Sequence, residues 1–249
     1  MSQIIYLCRM DFLEFLKHGD RYVVPNLSID LVVIGYRDGV LHYLLLKMGE
    51  KWLLPGGYIQ KDESVDDAVR NILRQRTGLE NAYLRFLSVF GELERRFGSA
   101  WKALLESEGL EWKEDYWFND RFITLAYYAL VNIENTHPTI SHFDESFAWF
   151  EFDALPDMWM DHRSIVVAAR ERIREDVLHE YLAYHLLPDV FTMPELYELH
   201  QTILGEKIDR SRFQKKMLAS GLFERLPKLH NNSPGRNPYQ YRAKENNRN

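Results

Sequence analysis

The sequence predicts a mixed α/β domain followed by a short domain built as a winged helix-turn-helix. Three observations carry this. Two β-rich runs, 27–34 and 40–47, flank Gly35-Tyr36-Arg37-Asp38-Gly39, a short connection ending in Asp-Gly that signals a hairpin. A stripe of apolar residues at helical spacing follows over 63–76 and stops at Gly78. Beyond residue 190, two capped helices, the second rich in Arg and Lys, precede two short strands around a polar loop.

Each element has a local reason. In the helix over 63–76, Val65, Val69, Ile72 and Leu73 form one buried stripe, which places Ile72 in the core. Further strands are expected at 83–90, 121–132 and 146–151. Between them, 95–120 shows a helical pattern, with Trp101, Leu104, Leu105 and Trp112 among charged residues, and reads as an insertion. Ser164 opens a long helix in which Ile165, Val166, Ala169, Ile173 and Val177 alternate with Arg and Glu, reaching Tyr181 and Tyr184 before Leu187-Pro188. Thr192-Met193-Pro194-Glu195 is a capping box, and Leu196, Leu199, Ile203 and Leu204 share one face before Gly205. Asp209 caps the next helix, with Phe213, Met217 and Leu218 expected inside and Gly221 at its end. Strands over 222–229 and 239–243 enclose a wing at 230–237.

The chain has 249 residues and 46% hydrophobic content, enough for one large domain or two small ones. A single cysteine, Cys8, excludes an internal disulfide framework. No run of about eighteen uncharged apolar residues is present, and the start lacks the basic region and cleavage site of a signal peptide. A cytoplasmic protein with no membrane association is expected. The net charge of −6 argues against nucleic acid only on average: 195–249 holds eleven Lys and Arg against six Asp and Glu, a local +5 that leaves −11 on the rest. A basic reading head on an acidic body has this asymmetry.

Residues 57–79 run Gly57-Tyr58-Ile59-Gln60-Lys61-Asp62-Glu63, then 64–70, then Asn71-Ile72-Leu73-Arg74-Gln75-Arg76-Thr77-Gly78-Leu79. This segment, preceded by Leu53-Leu54-Pro55-Gly56, resembles the Nudix box, G-x5-E-x7-R-E-U-x-E-E-x-G-U, where U is bulky and apolar. The framing glycines, Glu63 and Leu79 are in register. The resemblance implies an α/β/α sandwich whose helical glutamates, three or four residues apart on one face, hold Mg²⁺ against a pyrophosphate. Here Asn71 and Ile72 replace Arg-Glu, and Gln75 and Arg76 replace Glu-Glu. Isoleucine cannot coordinate a hard cation, and arginine brings positive charge to its place. The expectation is a retained fold without hydrolysis, with no catalytic residue, metal site or cofactor, and with Glu63 bracing its loop through backbone amides. The alternative is an active pyrophosphohydrolase of ADP-ribose-like substrates that recruits Asp66, Asp67, Glu92 or Glu94 from outside those positions.

The whole order then resembles the Nudix-related transcriptional regulators of bacteria, and especially the sugar-sensing branch that includes the arabinose regulators of Bacteroidetes. The residues that carry this are Gln60-Lys61-Asp62-Glu63-Ser64, Thr77-Gly78-Leu79-Glu80-Asn81, Ala126-Tyr127-Tyr128-Ala129-Leu130, Asp161-His162, Phe191-Thr192-Met193-Pro194-Glu195-Leu196 and Asp209-Arg210-Ser211-Arg212-Phe213. The resemblance implies a homodimer on a palindromic operator. Residues 1–160 would be a Nudix-like effector-binding domain, 161–187 a linking helix and 188–249 the DNA-binding winged helix-turn-helix domain. The effector implied is a small molecule, a pentose such as arabinose or a nucleotide sugar. Relatives lack the insertion at 95–120. Its Trp101, Trp112, Tyr116 and Trp117 are open to three readings: an effector pocket, a dimer surface or a structural cap.

Double-stranded DNA is expected to meet Arg210, Arg212, Gln214, Lys215 and Lys216, with Arg and Gln reading base edges and lysines neutralising phosphates. Ser211 suits a phosphate near the helix N-terminus, and Arg236 and Asn237 a wing contact to the minor groove or backbone. Asp30, Arg95, Asp120 and Arg121 are candidates for effector hydroxyls, with surface salt bridges as the competing explanation. A third reading makes the winged domain a protein-docking surface, without salt-sensitive affinity for DNA.

Overall fold

The computed structural model describes residues 12–80, 82–96, 98–107, 109–140, 144–228 and 237–244. A short helix α1 (Phe12–His18) leads into β1 (Val23–Arg37), the strand around which the first sheet is organised. β2 (Val40–Met48) returns antiparallel through a two-residue turn, in which Asp38 and Gly39 both take positive φ. The strands thus absorb Gly35-Tyr36-Arg37, which the sequence reading left in the connection. β3 (Lys51–Leu53) pairs with β2, and β4 (Gly56–Gln60) with the first half of β1. Both strands are additions to the expected set. They are too short, and too broken by Pro55 and Gly56, to give an alternating signal.

The helix α2 (Val65–Thr77) is capped by Ser64, whose hydroxyl accepts from Asp67 N at 3.1 Å, and it ends at Gly78 in the left-handed region. β5 (Tyr83–Phe90), β6 (Ile123–Val131) and β7 (Ser146–Glu151) complete the sheet, close to the spans expected. The order is β3-β2-β1-β6-β5, with β4 also on β1 and β7 on β2. β1 and β6 run parallel from Leu27↔Ile123 to Gly35↔Val131. β1 is buried on both faces over 29–35 and β6 over 128–131. Within 95–120 the helix is confined to α3 (Gly98–Ser107).

Alternation along β1 assigns its side chains to two cores. Ile29, Leu31 and Val33 pack with Val69, Ile72 and Leu73 of α2. Val32 and Ile34 face α4 (His162–His179) on the other side. Ile165, Val166, Ala169, Ile173 and Val177 of α4 are all buried there. Each of the Ile and Val side chains contributes about 1.5–3 kcal/mol by leaving water. α4 starts two residues before the expected Ser164 and ends at His179, so Tyr181 lies beyond it and Tyr184 in a 3-10 turn, Ala183–Leu186.

The second core cluster continues without a break into the C-terminal unit. β8 (Phe191–Thr192), α5 (Met193–Leu204), α6 (Arg210–Ala219), β9 (Phe223–Lys228) and β10 (Tyr239–Ala243) form a helix pair on a three-stranded sheet ordered β8-β10-β9. β8 escapes a sequence reading because only two residues pair. The capping box is formed: Thr192 Oγ1 accepts from Glu195 N, and Thr192 N donates to Glu195 at 2.6 Å. Phe213 and Met217 are buried as expected; Leu218 is not, at 48% exposure. It stands one position past Met217, about 100° around the helix from the buried face. Residues 229–236, with most of the wing and Arg236, lie outside the described residues.

Three of the described histidines have pKa values shifted by burial. Burial lowers the pKa of His162, and takes His185 and His200 down to about 4 from 6.5. The unfolded chain therefore binds more protons below pH 6.5, so stability is full above that value and falls as pH drops towards 4. Urea unfolding across this window should show the decline, and His200→Gln should make it shallower. Equal steepness in both proteins would contradict the assignment.

Candidate functional site

The loop from Gly57 to Glu63 is held by the one box carboxylate that remains. Glu63 accepts from Gln60 N at 2.8 Å and from Asn71 Nδ2 at 2.9 Å, the bracing role expected for it. Ile72 is 5% exposed and lies under Gly57, where an added Cβ would stand 2.9 Å from Ile72 Cγ1. Gln75 points to solvent. Arg76 turns inward: its Nε donates to Gly56 O at 3.0 Å, and Nη1 pairs with the buried Asp144 carboxylate at 2.7 Å.

The donor set does not suit the divalent cation that the box implies. An apolar side chain, an exposed amide and a guanidinium stand where carboxylates are needed. Asp66, Asp67, Glu92 and Glu94 are exposed, and among the described residues no three His, Cys, Asp or Glu side chains group as metal ligands. The Arg76 charge here is met by the Asp144 carboxylate.

A second charged cluster lies on the α4 side of the same strands. Asp30 shares the parity of Val32 and Ile34 and so points towards the start of α4. Arg95, from the loop after β5, is 2% exposed and donates to both Asp30 and Asp161. His162 Nδ1 accepts from Leu54 N at 2.9 Å, which fixes the ring proton of the neutral form on Nε2, 3.9 Å from Asp30 Oδ2. Gly56 joins the two clusters. It pairs with Asp30 in register, and a Cβ there would meet Asp30 Oδ1 at 2.8 Å. Tyr58 lies beside them, its hydroxyl pKa raised by burial and by the Asp30 charge.

Of the four residues expected to meet an effector, Asp30 and Arg95 are therefore joined to each other in the interior. Arg121 is half-buried, and its carbonyl accepts from Asn26 Nδ2 at 3.4 Å; the adjacent Phe122 N donates to Arg95 O. Asp120 is exposed. Sequence reasoning missed Asp161, His162, Tyr58 and the inward turn of Arg76. The signal for Asp161 was its place immediately before the apolar stripe of α4, where an Asp is a helix cap with a charge to share.

The insertion makes a small core of its own. Leu105, Phe118 and Phe122 are buried, with Trp112 and Trp117 packed on them. The Trp117 ring stands edge-on to Phe15 at 5.3 Å and to Tyr58 at 5.2 Å, and its Nε1 donates to Phe15 O. These contacts match the structural-cap reading: Trp117 ties α1 to β4, and Trp112 packs on Tyr116 and Phe118. The Trp101 side chain lies outside the described residues.

The C-terminal unit presents a basic face. Asp209 caps α6 by accepting from Arg212 N at 2.7 Å. Arg210, Ser211, Arg212, Gln214, Lys215 and Lys216 are all exposed. Arg210, Arg212 and Lys215 have no ion pair among the described residues. Arg210 and Gln214 face Asn237, Pro238 and Tyr239 across a groove of about 460 Å³ between α6 and the wing. Lys216 is engaged elsewhere: its Nζ donates to Leu178 O at 3.0 Å and lies over the Tyr181 ring. It fastens α6 to the end of α4.

A mixed sheet between two helices, with a winged helix-turn-helix behind it, defines a two-part protein whose first part is built around an altered loop-helix box. Residues 27–169 match the model of the NUDIX domain, and the chain belongs to that family. Residues 183–243 match the NrtR DNA-binding winged helix domain. The chain is 25% identical over 212 residues to the ADPR responsive transcriptional repressor NtrR of Acinetobacter baylyi, covering 82% of this chain and 76% of that one. Shewanella oneidensis NrtR, in its complex with a 27mer DNA, has the same fold, with a TM-score of 0.69 at 24% identity over 88% of this chain and 93% of that one. A MutT/nudix family protein from Enterococcus faecalis gives 0.63 at 22% identity, over 98% and 99%.

The Arg76 pair supplies a stability test. Removing one partner strands a buried charge, at a cost on the order of 3 kcal/mol. Arg76→Glu, which restores the box residue, should destabilise at least as much by setting two carboxylates together. Urea unfolding of the wild type and Arg76→Glu checks this, and equal stability would refute it.

Proposed function

We propose that the protein is a DNA-binding transcriptional regulator, acting as a homodimer, whose Nudix domain senses a small anionic metabolite and does not hydrolyse it. The observation that carries the reading is the basic face of α6 with its groove to the wing, set behind a box in which Arg76 replaces a metal-binding glutamate. The match of 183–243 to a DNA-binding winged helix domain supports the first half. The responsiveness of the Acinetobacter relative to ADPR, given in its name, supports ADP-ribose or a related nucleotide sugar as the effector. The guanidinium groups of Arg76 and Arg95 beside Gly56 are each held by carboxylates, a type of partner that an anionic metabolite can replace and a neutral pentose such as arabinose cannot. The division into an effector domain over 1–160, a linking helix over 161–187 and a DNA-binding domain over 188–249 is part of the proposal.

Fluorescence anisotropy on DNA from the protein's own promoter region tests this at two salt concentrations. Affinity should fall steeply as salt rises, because bound phosphates release counterions. Arg212→Ala and Lys215→Ala should weaken binding to all sequences and flatten the salt slope, by about one counterion each. Gln214→Ala should mainly relax selectivity, by roughly 1–3 kcal/mol at one base pair. ADP-ribose should release the DNA and arabinose should not. No salt-sensitive binding would remove the DNA reading and favour a protein-docking role for the winged unit.

A further inference from the structure

We propose that Arg95 is a shared ligand: an anionic effector and the Asp161 carboxylate compete for its guanidinium. Effector binding thereby frees the start of α4 and shifts the recognition helix that α4 carries. This rests on the effector-controlled DNA binding proposed above.

The two ends of α4 carry the argument. Asp161 occupies the position before the first helical turn, where an Asp side chain normally accepts from the free backbone amides of that turn. It makes no such bond here. One of its oxygens is taken by Arg95, and the other is buried without a hydrogen-bond partner among the described residues, as is Arg95 Nε. One carboxylate thus has two alternative sets of partners, the arginine or the helix, which is the requirement for a two-state element. Arg95 also belongs to the effector side. Its second partner is Asp30, in register with Gly56, whose carbonyl is bonded by Arg76. An anion arriving at these guanidinium groups finds Arg95 already committed to Asp30 and Asp161, and must displace a carboxylate to use it.

At the far end, Arg174 Nε donates to Ile203 O at the end of α5, and Leu178 O accepts from Lys216 of α6. The eighteen residues between span about 27 Å of helix. A change at Asp161 is therefore delivered to the DNA-reading helix through one rigid rod. Tyr128, which donates to Asp176 at 2.6 Å, holds the rod to the sheet partway along.

The test uses the full chain and ADP-ribose as the probe, with affinity read by calorimetry and DNA release by anisotropy. Asn and Ser can cap a helix as Asp does but carry no charge for Arg95. Asp161→Asn and Asp161→Ser should each tighten ADP-ribose binding by about tenfold, and lower by the same factor the concentration that half-releases the DNA. Arg95→Gln should weaken ADP-ribose binding. The opposite signs are the signature, because a merely structural ion pair moves both partners in one direction. The proposal is overturned if both substitutions weaken ADP-ribose binding, if neither changes it, or if wild-type protein binds DNA but not ADP-ribose. Wild-type protein that binds no DNA instead overturns the regulator reading itself. Should one Asp161 variant fail to fold, the other carries the comparison.

Discussion

The structure depends on the apolar face of α4 being shared. Ile165, Val166, Ala169, Ile173 and Val177 are buried in the same cluster as Val32 and Ile34 of the sheet and Leu196, Leu199 and Ile203 of the winged unit. Among the described residues that cluster is continuous. A helix packed on both sides at interior density shifts as a body or not at all. Thr202, which donates to Gly39 O at 3.0 Å, adds a direct seam between α5 and the β1–β2 turn. The winged unit is thus mechanically joined to the unit that carries the altered box.

The box keeps its frame although most of its carboxylates are absent. Gly56 and Gly57 permit the close approaches of β4 to β1 and to Ile72, and Glu63 braces the loop. At its centre an arginine stands where the box pattern has a glutamate. A divalent ion demands oxygen ligands at fixed distances, whereas the Arg76 guanidinium brings its own charge and needs only Gly56 O and Asp144 to receive its hydrogens.

Much of this was legible in the sequence where signals are periodic or local. The span of α2, the strands β5 and β7, the two caps at Thr192 and Asp209, and the outward basic residues of α6 follow from spacing and capping chemistry alone. What escaped depends on partners distant in the chain. Nothing local to Asp161 announces that Arg95 will take its carboxylate, and a two-residue strand such as β8 has no pattern to read. Asp30 and Arg95 were picked out for their charge, but their mutual burial depends on the parity of β1 and the start of α4. Leu218 misled because it is an apolar residue next to a buried one, one helical step off the inner face.

The most direct measurement is calorimetric titration of ADP-ribose into the full chain, once with EDTA and once with Mg²⁺, followed by analysis of the recovered nucleotide. A site whose charge is supplied by Arg76 and Arg95 predicts equal affinity in both buffers and intact ADP-ribose at the end. Binding that requires Mg²⁺, with release of AMP and ribose phosphate, would contradict the account and restore the chain to the hydrolases.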